Sequence, residues 1–277
     1  MKSAVCAALL LLVSLFPAVQ AADDDTRVAL EAAVAGNNRS AQNRARDIYR
    51  HPVQTLLFFG IRPDITVVEL YPGGGGWYTE VLAPFLHDHG TYYSASYDPE
   101  SSSDYYRKNA KAYLDKLAAD PATYGNVKVT VLAPPDKVDI APAGSADLVL
   151  TFRNIHNWMD QGQAETVFAA AYRALKPGGV FGVEEHRGKP GSVQDPKADS
   201  GYVNEDYVIE LAKKVGFELA ARSEINANPD DTKDYPDGVW DLPPSLRAGE
   251  TDKAKYLAIG ESDRMTLKFV KPAAATK

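Results

Sequence analysis

The stretch VVELYPGGGGW, residues 67–77, decides the fold because a strand pattern runs directly into a cluster of glycines. With the preceding Ile65 and Thr66, its first half is rich in β-branched residues, the composition of a buried parallel strand. The amphipathic stretch from Trp77 to Leu86 then predicts a helix. Glycines between a strand and a helix let the backbone approach a ligand, and the helix offers free N–H groups to an anion. The stretch therefore predicts a binding loop.

The residues that follow the glycines separate the ligands that use such a loop. A loop for nucleoside triphosphates needs a lysine and then serine or threonine, whereas Trp77-Tyr78-Thr79 follows Gly76. A dinucleotide fingerprint fits Gly73 and Gly75 but has Tyr78 where its third glycine belongs. A nucleoside sulfonium is therefore the favoured ligand, and a weakened dinucleotide site and a glycine-rich turn without any ligand are the alternatives.

Outward from the loop, predicted strands alternate with predicted helices, which indicates a parallel α/β sheet with right-handed crossovers. The predicted strands cover residues 65–70, 91–96, 127–132, 146–152, 180–185, 217–225 and 265–270, and further helices are predicted at 98–119, 161–175 and 204–215. The last strand follows a long polar loop instead of a helix, so we expect it to insert antiparallel. Residues 22–60 are predicted to form an N-terminal helical cap.

The order of these residues resembles the class I S-adenosylmethionine-dependent methyltransferase family. The first motif of that family is an acidic residue at a strand end followed by spaced glycines, and Glu69, Gly73 and Gly75 match it. Tyr71 departs from the motif, because the family usually has its first glycine at this position. The resemblance implies an α/β fold with a seven-stranded, mostly parallel, Rossmann-like sheet whose last strand is antiparallel. It also implies S-adenosylmethionine as the cofactor, bound by the loop residues Glu69, Tyr71, Gly73, Gly75 and Trp77.

Three further positions resemble cofactor-binding positions of the family. Asp98 lies 22 residues after Gly76, a spacing that suits a carboxylate on the ribose hydroxyls, although an acid before Pro99 can equally cap a helix. Asp136 stands where similar enzymes accept a hydrogen bond from the adenine amino group, and a solvated turn is the alternative. Asn154 follows the fourth predicted strand and can hydrogen-bond the cofactor or the substrate.

His156 is the candidate catalytic residue. It follows the fourth predicted strand at the carboxyl edge, where open α/β sheets place their sites, and many members of the family have a histidine in this loop. An imidazole there can serve as a general base for an acceptor that must lose a proton, and a structural histidine is the alternative. No metal site is expected at Glu185 and His186, because adjacent residues on a strand point to opposite faces and would converge only if the strand had ended.

The C-terminal region resembles a narrower group within the family. Residues 45–272 look like exported methyltransferases of Gram-negative bacteria. The segment at about 226–262 is long and polar, and such a segment in a compact domain is typically a lid or a binding loop. Trp77, Trp158 and Trp240 are all expected near the ligand, where aromatic faces attract a sulfonium.

Residues 1–21 have the pattern of a cleavable secretory signal. Lys2 precedes an apolar run, and small residues precede a predicted cleavage after Ala21. The run is short for a membrane span, so we expect a periplasmic or secreted protein without stable membrane insertion. The cap would then begin at residue 22, and the methyltransferase domain would cover residues 61–277.

Composition excludes several classes of function. Removing the signal takes away one charge, that of Lys2, so the net charge changes from −7 to −8 and the chain lacks the basic balance of a nucleic-acid binder. The single cysteine, Cys6, lies in the signal, so the mature chain has no disulfide, no zinc–thiolate site and no cysteine nucleophile. The sequence does not indicate an oligomeric state.

Two functions are compatible with these patterns. The first is methyl transfer from S-adenosylmethionine to a small-molecule acceptor, in which the protein mainly supplies proximity and alignment. The second is an exported, non-catalytic binding protein for a nucleoside or related metabolite, because the cofactor is made in the cytoplasm and a fold does not settle a function. The matching positions Glu69, Gly73, Gly75 and Asp136 favour retained cofactor binding.

Overall fold

The computed structural model describes residues 16–273 of the 277, with side chains from Asp24 onward. Its centre is a seven-stranded sheet in the order β3-β2-β1-β4-β5-β7-β6. The strands are β1 (Thr66–Leu70), β2 (Thr91–Ser96), β3 (Lys128–Val131), β4 (Ala146–Phe152), β5 (Leu175–His186), β6 (Glu218–Ser223) and β7 (Arg264–Val270). Strands β1 to β5 pair in parallel, and β7 pairs antiparallel with β5 and β6. The predicted α/β fold, a seven-stranded and mostly parallel sheet with an antiparallel last strand, is confirmed.

Helices cover both faces of this sheet. The α-helices of the described residues are α1 (Phe16–Val34), α2 (Ala41–Arg44), α3 (Asp47–Arg50), α4 (Pro52–Phe59), α5 (Thr79–Leu86), α6 (Asp104–Ala119), α7 (Pro121–Tyr124), α8 (Ile155–Asp160), α9 (Ala164–Ala174), α10 (Glu205–Val215) and α11 (Lys253–Ile259). Helices α1 to α4 precede β1, in the region where the sequence predicts the N-terminal cap. The domain boundaries themselves stay predictions.

The strands divide two apolar cores between the faces of the sheet. Side chains alternate along a strand, so Val67 packs with the cap residues Leu56 and Phe59, whereas Val68 packs on the other face with Phe181. Gly182 of β5 lies against Phe59, and a Cβ atom at residue 182 would stand 2.7 Å from that ring. The cap therefore packs directly on the strands that carry the candidate site.

The loop after β2 is longer than expected. The predicted helix at 98–119 begins only at Asp104, with Ser103 in an extended conformation before it. Asp98 instead accepts a hydrogen bond from the backbone N–H of Glu100, a local turn that competes with helix formation. The serine-rich loop between Asp98 and Ser103 is thereby left at the edge of the sheet, beside the ends of β2 and β3.

The segment 226–262 is more structured than the predicted polar loop. It contains a 3₁₀-helix, Gly238–Asp241, as well as α11. An apolar cluster holds it together, formed by Tyr202, Tyr235, Val239, Leu242 and Tyr256. A role as a lid stays a prediction.

The predicted signal of residues 1–21 falls mostly outside the described residues, which begin at residue 16. Its cleavage therefore stays a prediction. Among the helices between residues 16 and 273, none is both long and apolar enough to cross a bilayer.

Candidate functional site

The glycine loop, residues 71–78, leads from the carboxyl end of β1 into α5, and its four glycines serve two purposes. Gly74 and Gly76 are enclosed, because a Cβ atom would lie 2.9 Å from Oδ1 of Asn109 at residue 74 and 3.0 Å from the ring of Tyr113 at residue 76. Gly73 and Gly75 face open space, since an added Cβ would meet no atom within 4 Å at either position. These are the two glycines that the sequence assigns to a ligand.

Tyr71 has a backbone conformation that glycine adopts more readily than other residues. Its φ angle is 48°, in the left-handed region that residues with a Cβ rarely adopt. The hydroxyl donates a hydrogen bond of 2.9 Å to the carbonyl oxygen of Leu132, and the ring packs 4.2 Å from that of Tyr97. The side chain therefore reaches from the end of β1 across the end of β2 to the residue after β3.

A cavity of about 460 Å³ lies where these three strands end. Its lining comes from the end of β1, the loop after β2, the residues after β3 and the α8 region, and consists of Tyr71, Asp98, Ser101, Ser102, Ser103, Tyr105, Tyr106, Leu132, Ala133, Pro134, Asn157, Gln161 and Gln163. The carboxyl edge of an open parallel sheet is the usual place for a ligand. A larger cavity of about 960 Å³ lies near Arg62 and Asp64, before β1 and so at the opposite edge of the sheet.

Asp98 is the predicted carboxylate that lines the cavity. Its Oδ2 atom accepts a hydrogen bond of 2.6 Å from Nζ of Lys137. That bond, with a second one from the backbone of Glu100, holds the pKa of Asp98 below its ordinary value. The group is therefore ionised at neutral pH and can accept hydrogen bonds from hydroxyl groups.

Glu69 has a different place from the one predicted. Its carboxylate is buried and accepts hydrogen bonds from Tyr92 and from Oγ1 of Thr79, the first residue of α5. Burial raises the pKa of Glu69 to about 7, although these hydrogen bonds lower it in part. Glu69 does not line the cavity; it ties β1 to the start of α5 and so holds the glycine loop in place.

Two other predicted cofactor contacts also point elsewhere. Trp77 turns toward the N-terminal cap, donating a 3.0 Å hydrogen bond to the carbonyl oxygen of Asn43, with Arg39 and Arg50 against its ring. Asp136 is exposed and outside the cavity lining, so the solvated-turn alternative describes it better. Trp77 was misplaced because the direction of its side chain depends on the cap, which local sequence does not reveal.

Asn154 is buried and acts between strands. Its Nδ2 atom donates to the carbonyl oxygen of Leu70 at 3.1 Å and to Oγ1 of Thr151 at 3.3 Å. These contacts hold the loop after β4 against the end of β1. Asn157, one turn into α8, reaches the cavity instead.

His156 lies on the first turn of α8 and is paired with Glu185. Its Nδ1 atom is 3.0 Å from Oε1 of Glu185, which places the ring proton on Nδ1 and leaves Nε2 free among the described residues. The carboxylate is fixed by the backbone N–H groups of Ile155 and His186. The ring of Trp240 lies 6.0 Å from that of His156. A histidine with one nitrogen held by a carboxylate can take up a proton at the other.

His186 completes a cluster that alternation along the strand seemed to exclude. Its ring lies 5.4 Å from that of His156, and His156, Glu185 and His186 offer metal-ligating atoms within 4.8 Å of one another. The exception to the argument from opposite faces applies here, because β5 ends at His186 and a helix supplies the third residue. Burial, reinforced by His156 and nearby arginines, lowers the pKa of His186 well below its ordinary value, so this ring is neutral.

A cluster of arginines that the sequence did not single out lies beside these histidines. We call Arg46, Arg50, Arg153 and Arg264 the arginine cluster. They surround the buried carboxylates of Glu184 and Glu261, and Arg153 has a positive φ of 60° directly after β4. The one sequence signal was the charged stretch that contains Arg46 and Arg50, four residues apart and therefore on one side of a helical stretch.

Comparisons with solved structures show which known proteins share this fold. A SAM-dependent methyltransferase from Aquifex aeolicus aligns with a TM-score of 0.54 at 13% identity, covering 82% of this chain and 93% of that one. Haemonchus contortus phosphoethanolamine N-methyltransferase 2, in complex with S-adenosyl-L-methionine, gives 0.51 at 18% identity, covering 90% and 57%. The chain has a Rossmann-like methyltransferase fold. Neither a family model nor a curated protein sequence matches it.

The methyltransferase fold does not by itself fix the reaction. The [4+2]-cyclase SpnF aligns equally well, with a TM-score of 0.53 at 15% identity, covering 92% of this chain and 96% of that one. Likeness at such identities establishes the fold alone. Function must be argued from the site.

Proposed function

We propose that the protein binds S-adenosylmethionine in the cavity beside the glycine loop and transfers its methyl group to a small-molecule acceptor. The observation that carries the proposal is the open space in front of Gly73 and Gly75, at the carboxyl edge that also carries the cavity of about 460 Å³. That volume lies within the range of about 300–1,000 Å³ typical of small-molecule sites. The Haemonchus neighbour, which binds this cofactor, supports the choice of ligand.

The residues present fit such a cofactor. Gly73 and Gly75 leave room for a ligand close to the backbone, and the ionised Asp98 is suited to ribose hydroxyls. Tyr71 supplies an aromatic face to the cavity, and Asn157 supplies an amide. When bound, the cofactor supplies an electrophilic methyl group on a sulfonium. The protein supplies alignment and keeps the acceptor in position.

His156 is the group that we assign to proton removal. Glu185 holds Nδ1, so Nε2 is the basic atom and can accept a proton from an acceptor hydroxyl or amine as it is methylated. The site is screened from water, since the side chain of His156 is only 8% exposed. Trp240 packs beside the imidazole and helps to exclude water.

We further propose that the protein works outside the cytoplasm, in the periplasm or as a secreted protein. The support is the pattern of residues 1–21 and the resemblance of residues 45–272 to exported methyltransferases. Both are sequence arguments.

Calorimetry with the purified protein tests the cofactor. S-adenosylmethionine and S-adenosylhomocysteine should bind, and adenosine should bind more weakly because it lacks the amino-acid part, whereas NAD should not bind. Incubation of host extracts with methyl-labelled cofactor then tests turnover. Tight binding without label transfer to any extract would leave only a binding protein, and absence of binding would refute the assignment.

A further inference from the structure

The charges in the arginine cluster do not balance. Arg46 and Arg50 approach Glu261 at 2.5 and 3.3 Å through their Nε atoms. Arg153 approaches Glu184 at 2.6 Å, and Arg264 pairs with both carboxylates. Four cations thus share two carboxylates, which leaves an excess of two positive charges in a largely buried region. A buried charge without a counter-ion is costly, so this excess needs an explanation.

Arg50 shows the imbalance most clearly. Its side chain is 5% exposed and its one carboxylate partner is Glu261, which also pairs with Arg46 and Arg264. Burial, with the charge of Arg153, lowers the pKa of Arg50 well below its ordinary value. The ring of Trp77 lies 4.7 Å from its guanidinium carbon and compensates only in part. Arg50 is therefore held in place without a full complement of negative charge.

The cluster has hydrogen-bond donors without a partner among the described residues. The Nη atoms of Arg46 and Arg50 and the Nη2 atom of Arg153 have no hydrogen-bond partner among the described residues, and none of them is fully enclosed. The side chains of Arg46 and Arg153 are 22% and 15% exposed. Arg264, by contrast, is only 1% exposed and pairs with the carboxylates of both Glu184 and Glu261. Arg46, Arg50 and Arg153 therefore carry hydrogen-bond donors that the described residues leave unpaired.

The cluster lies next to the proposed proton acceptor. Glu184 and Glu185 are consecutive on β5, the first facing the arginines and the second facing His156. His186 lies between them: its ring is 5.4 Å from His156, and the charges of Arg264, Arg153 and Arg50 act on it. His186 therefore lies close to both His156 and the arginine cluster.

A metal ion at His156, Glu185 and His186 would not explain the excess positive charge of the arginine cluster. Both oxygens of Glu185 already accept backbone N–H groups, from Ile155 and His186. The uncompensated positive charge of the arginines would also repel a divalent cation bound at these histidines, whereas it attracts an anion. The electrostatics therefore favour a negatively charged ligand.

We propose that Arg46, Arg50 and Arg153 bind an oxyanion group of the methyl acceptor, a carboxylate or a phosphate monoester. The planar guanidinium fork matches both groups in two-point hydrogen bonds. The acceptor is then an anionic small molecule, with its anion on the arginine cluster and the atom to be methylated near His156. The identification of the anion as part of the methyl acceptor rests on the proposed function. The anion site itself does not depend on that function.

Calorimetry in the absence of cofactor tests the site, with sodium phosphate and sodium acetate as the probes and chloride holding the ionic strength constant. We expect at least one probe to bind one-to-one. Loss of a charge-assisted contact in Arg153→Gln or in Arg46→Gln should weaken binding by about 10- to 100-fold. The control Arg62→Gln changes an exposed arginine paired with Asp64 and should bind as the unaltered protein does.

A measurement on the unaltered protein covers the case in which a variant does not fold. Phenylglyoxal modifies accessible arginines, and the bound probe should slow modification of Arg46 and Arg153 but not of Arg62, as read by peptide mapping. Binding of phosphate alone assigns a phosphate monoester, and binding of acetate alone assigns a carboxylate. The proposal is overturned if neither probe binds up to about 10 mM, or if folded variants bind as well as the unaltered protein. Anion binding without S-adenosylhomocysteine binding would refute the proposed function and leave this site standing.

Discussion

Nδ1 of His156 lies 3.0 Å from Oε1 of Glu185, and this contact decides which nitrogen of the imidazole can act on a substrate. The two residues come from different elements, α8 and β5, that meet at the carboxyl edge of the sheet. Because Glu185 is itself held by two backbone N–H groups, it cannot turn away from the histidine without leaving those donors unpaired. The pair is therefore pre-organised.

Replacing the histidine should separate chemistry from scaffolding. In His156→Ala we expect methyl transfer to fall by about 10²- to 10⁴-fold, the scale of lost acid–base assistance, with S-adenosylhomocysteine affinity unchanged. Single-turnover kinetics and calorimetry on the same preparation measure the two quantities. His87→Ala, at a histidine with a 38% exposed side chain, is the matched control. A lower melting temperature with normal turnover per folded molecule would instead make His156 structural.

The glycine loop gives a second test. Gly75→Val should abolish S-adenosylhomocysteine binding while the protein stays folded, because the added atoms enter space that is open in the free protein and needed by the cofactor. Calorimetry gives the affinity, and circular dichroism checks the fold. Ala122→Val, at an exposed position of α7, is the control. Unchanged affinity in folded Gly75→Val would place the cofactor elsewhere.

The raised pKa of the buried Glu69 should make the stability of the protein depend on pH. Its pKa in the folded protein, about 7, lies above that of an unfolded chain, so its contribution is fully present below about pH 4.5 and is lost as pH rises through 7. Glu69→Gln keeps an acceptor for Tyr92 and Thr79 without the charge. The variant should therefore gain up to about 3 kcal/mol relative to the unaltered protein between pH 5 and pH 8.5.

Denaturant unfolding at the two pH values measures this gain. Glu224→Gln, at a carboxylate with a 70% exposed side chain, should show no such trend. An equal stability difference at both pH values would mean that Glu69 titrates normally.

Glu261 should behave in the opposite way. Burial alone would raise the pKa of Glu261. The charges of Arg264, Arg50 and Arg46 nevertheless hold this pKa well below its ordinary value. Its contribution is thus present above the pKa of the unfolded chain, about 4.3, and is lost as pH falls below that value. Glu261→Gln should destabilise the protein by about 3 kcal/mol at pH 7, because removing one partner leaves buried charges unpaired.

The difference between Glu261→Gln and the unaltered protein should shrink at pH 3. Denaturant titration at both pH values gives the comparison, again with Glu224→Gln beside it. A loss of stability that is the same at pH 7 and pH 3 would contradict the assigned role of the three arginines.

The predicted export can be tested directly. Protein isolated from the native host should begin near Ala22 when its N-terminus is sequenced, because the small residues before this position suit signal cleavage. Recovery of chains that still begin with Met1 from a soluble cytoplasmic fraction would rule export out. Fractionation into periplasm and cytoplasm is the accompanying measurement.

Local patterns predicted the sheet well, because strand patterns and helix patterns alternate along the chain. The strands at Thr91–Ser96 and Ala146–Phe152 have the predicted bounds, and Gly73 and Gly75 do face open space. Contacts over long separations could not be predicted in this way. Arg46 and Glu261 are 215 residues apart, and nothing in either segment reveals that they meet.

The same limit explains the misplaced candidates. Glu69 and Trp77 lie in the loop that the sequence identified, yet Tyr92 and the cap determine where their side chains point. The convergence of His156 with His186 depends on where β5 ends and on how α8 packs. The sequence thus identified the loop that carries the candidate site. Packing in the folded protein determines which side chains of that loop face the site.

The contact between Gly182 and Phe59 has a consequence for how β5 finds its register. Glu184 and Glu185 have identical side chains, so after a slip by one residue either the arginines or His156, but not both, would still have a carboxylate. Such a slip would, however, bring Phe181 or Val183 under Phe59, where even a Cβ atom stands only 2.7 Å from the ring. The missing side chain of Gly182, two residues from Glu184 and so on the same face of β5, thus helps to select a register that the two glutamates distinguish only in part.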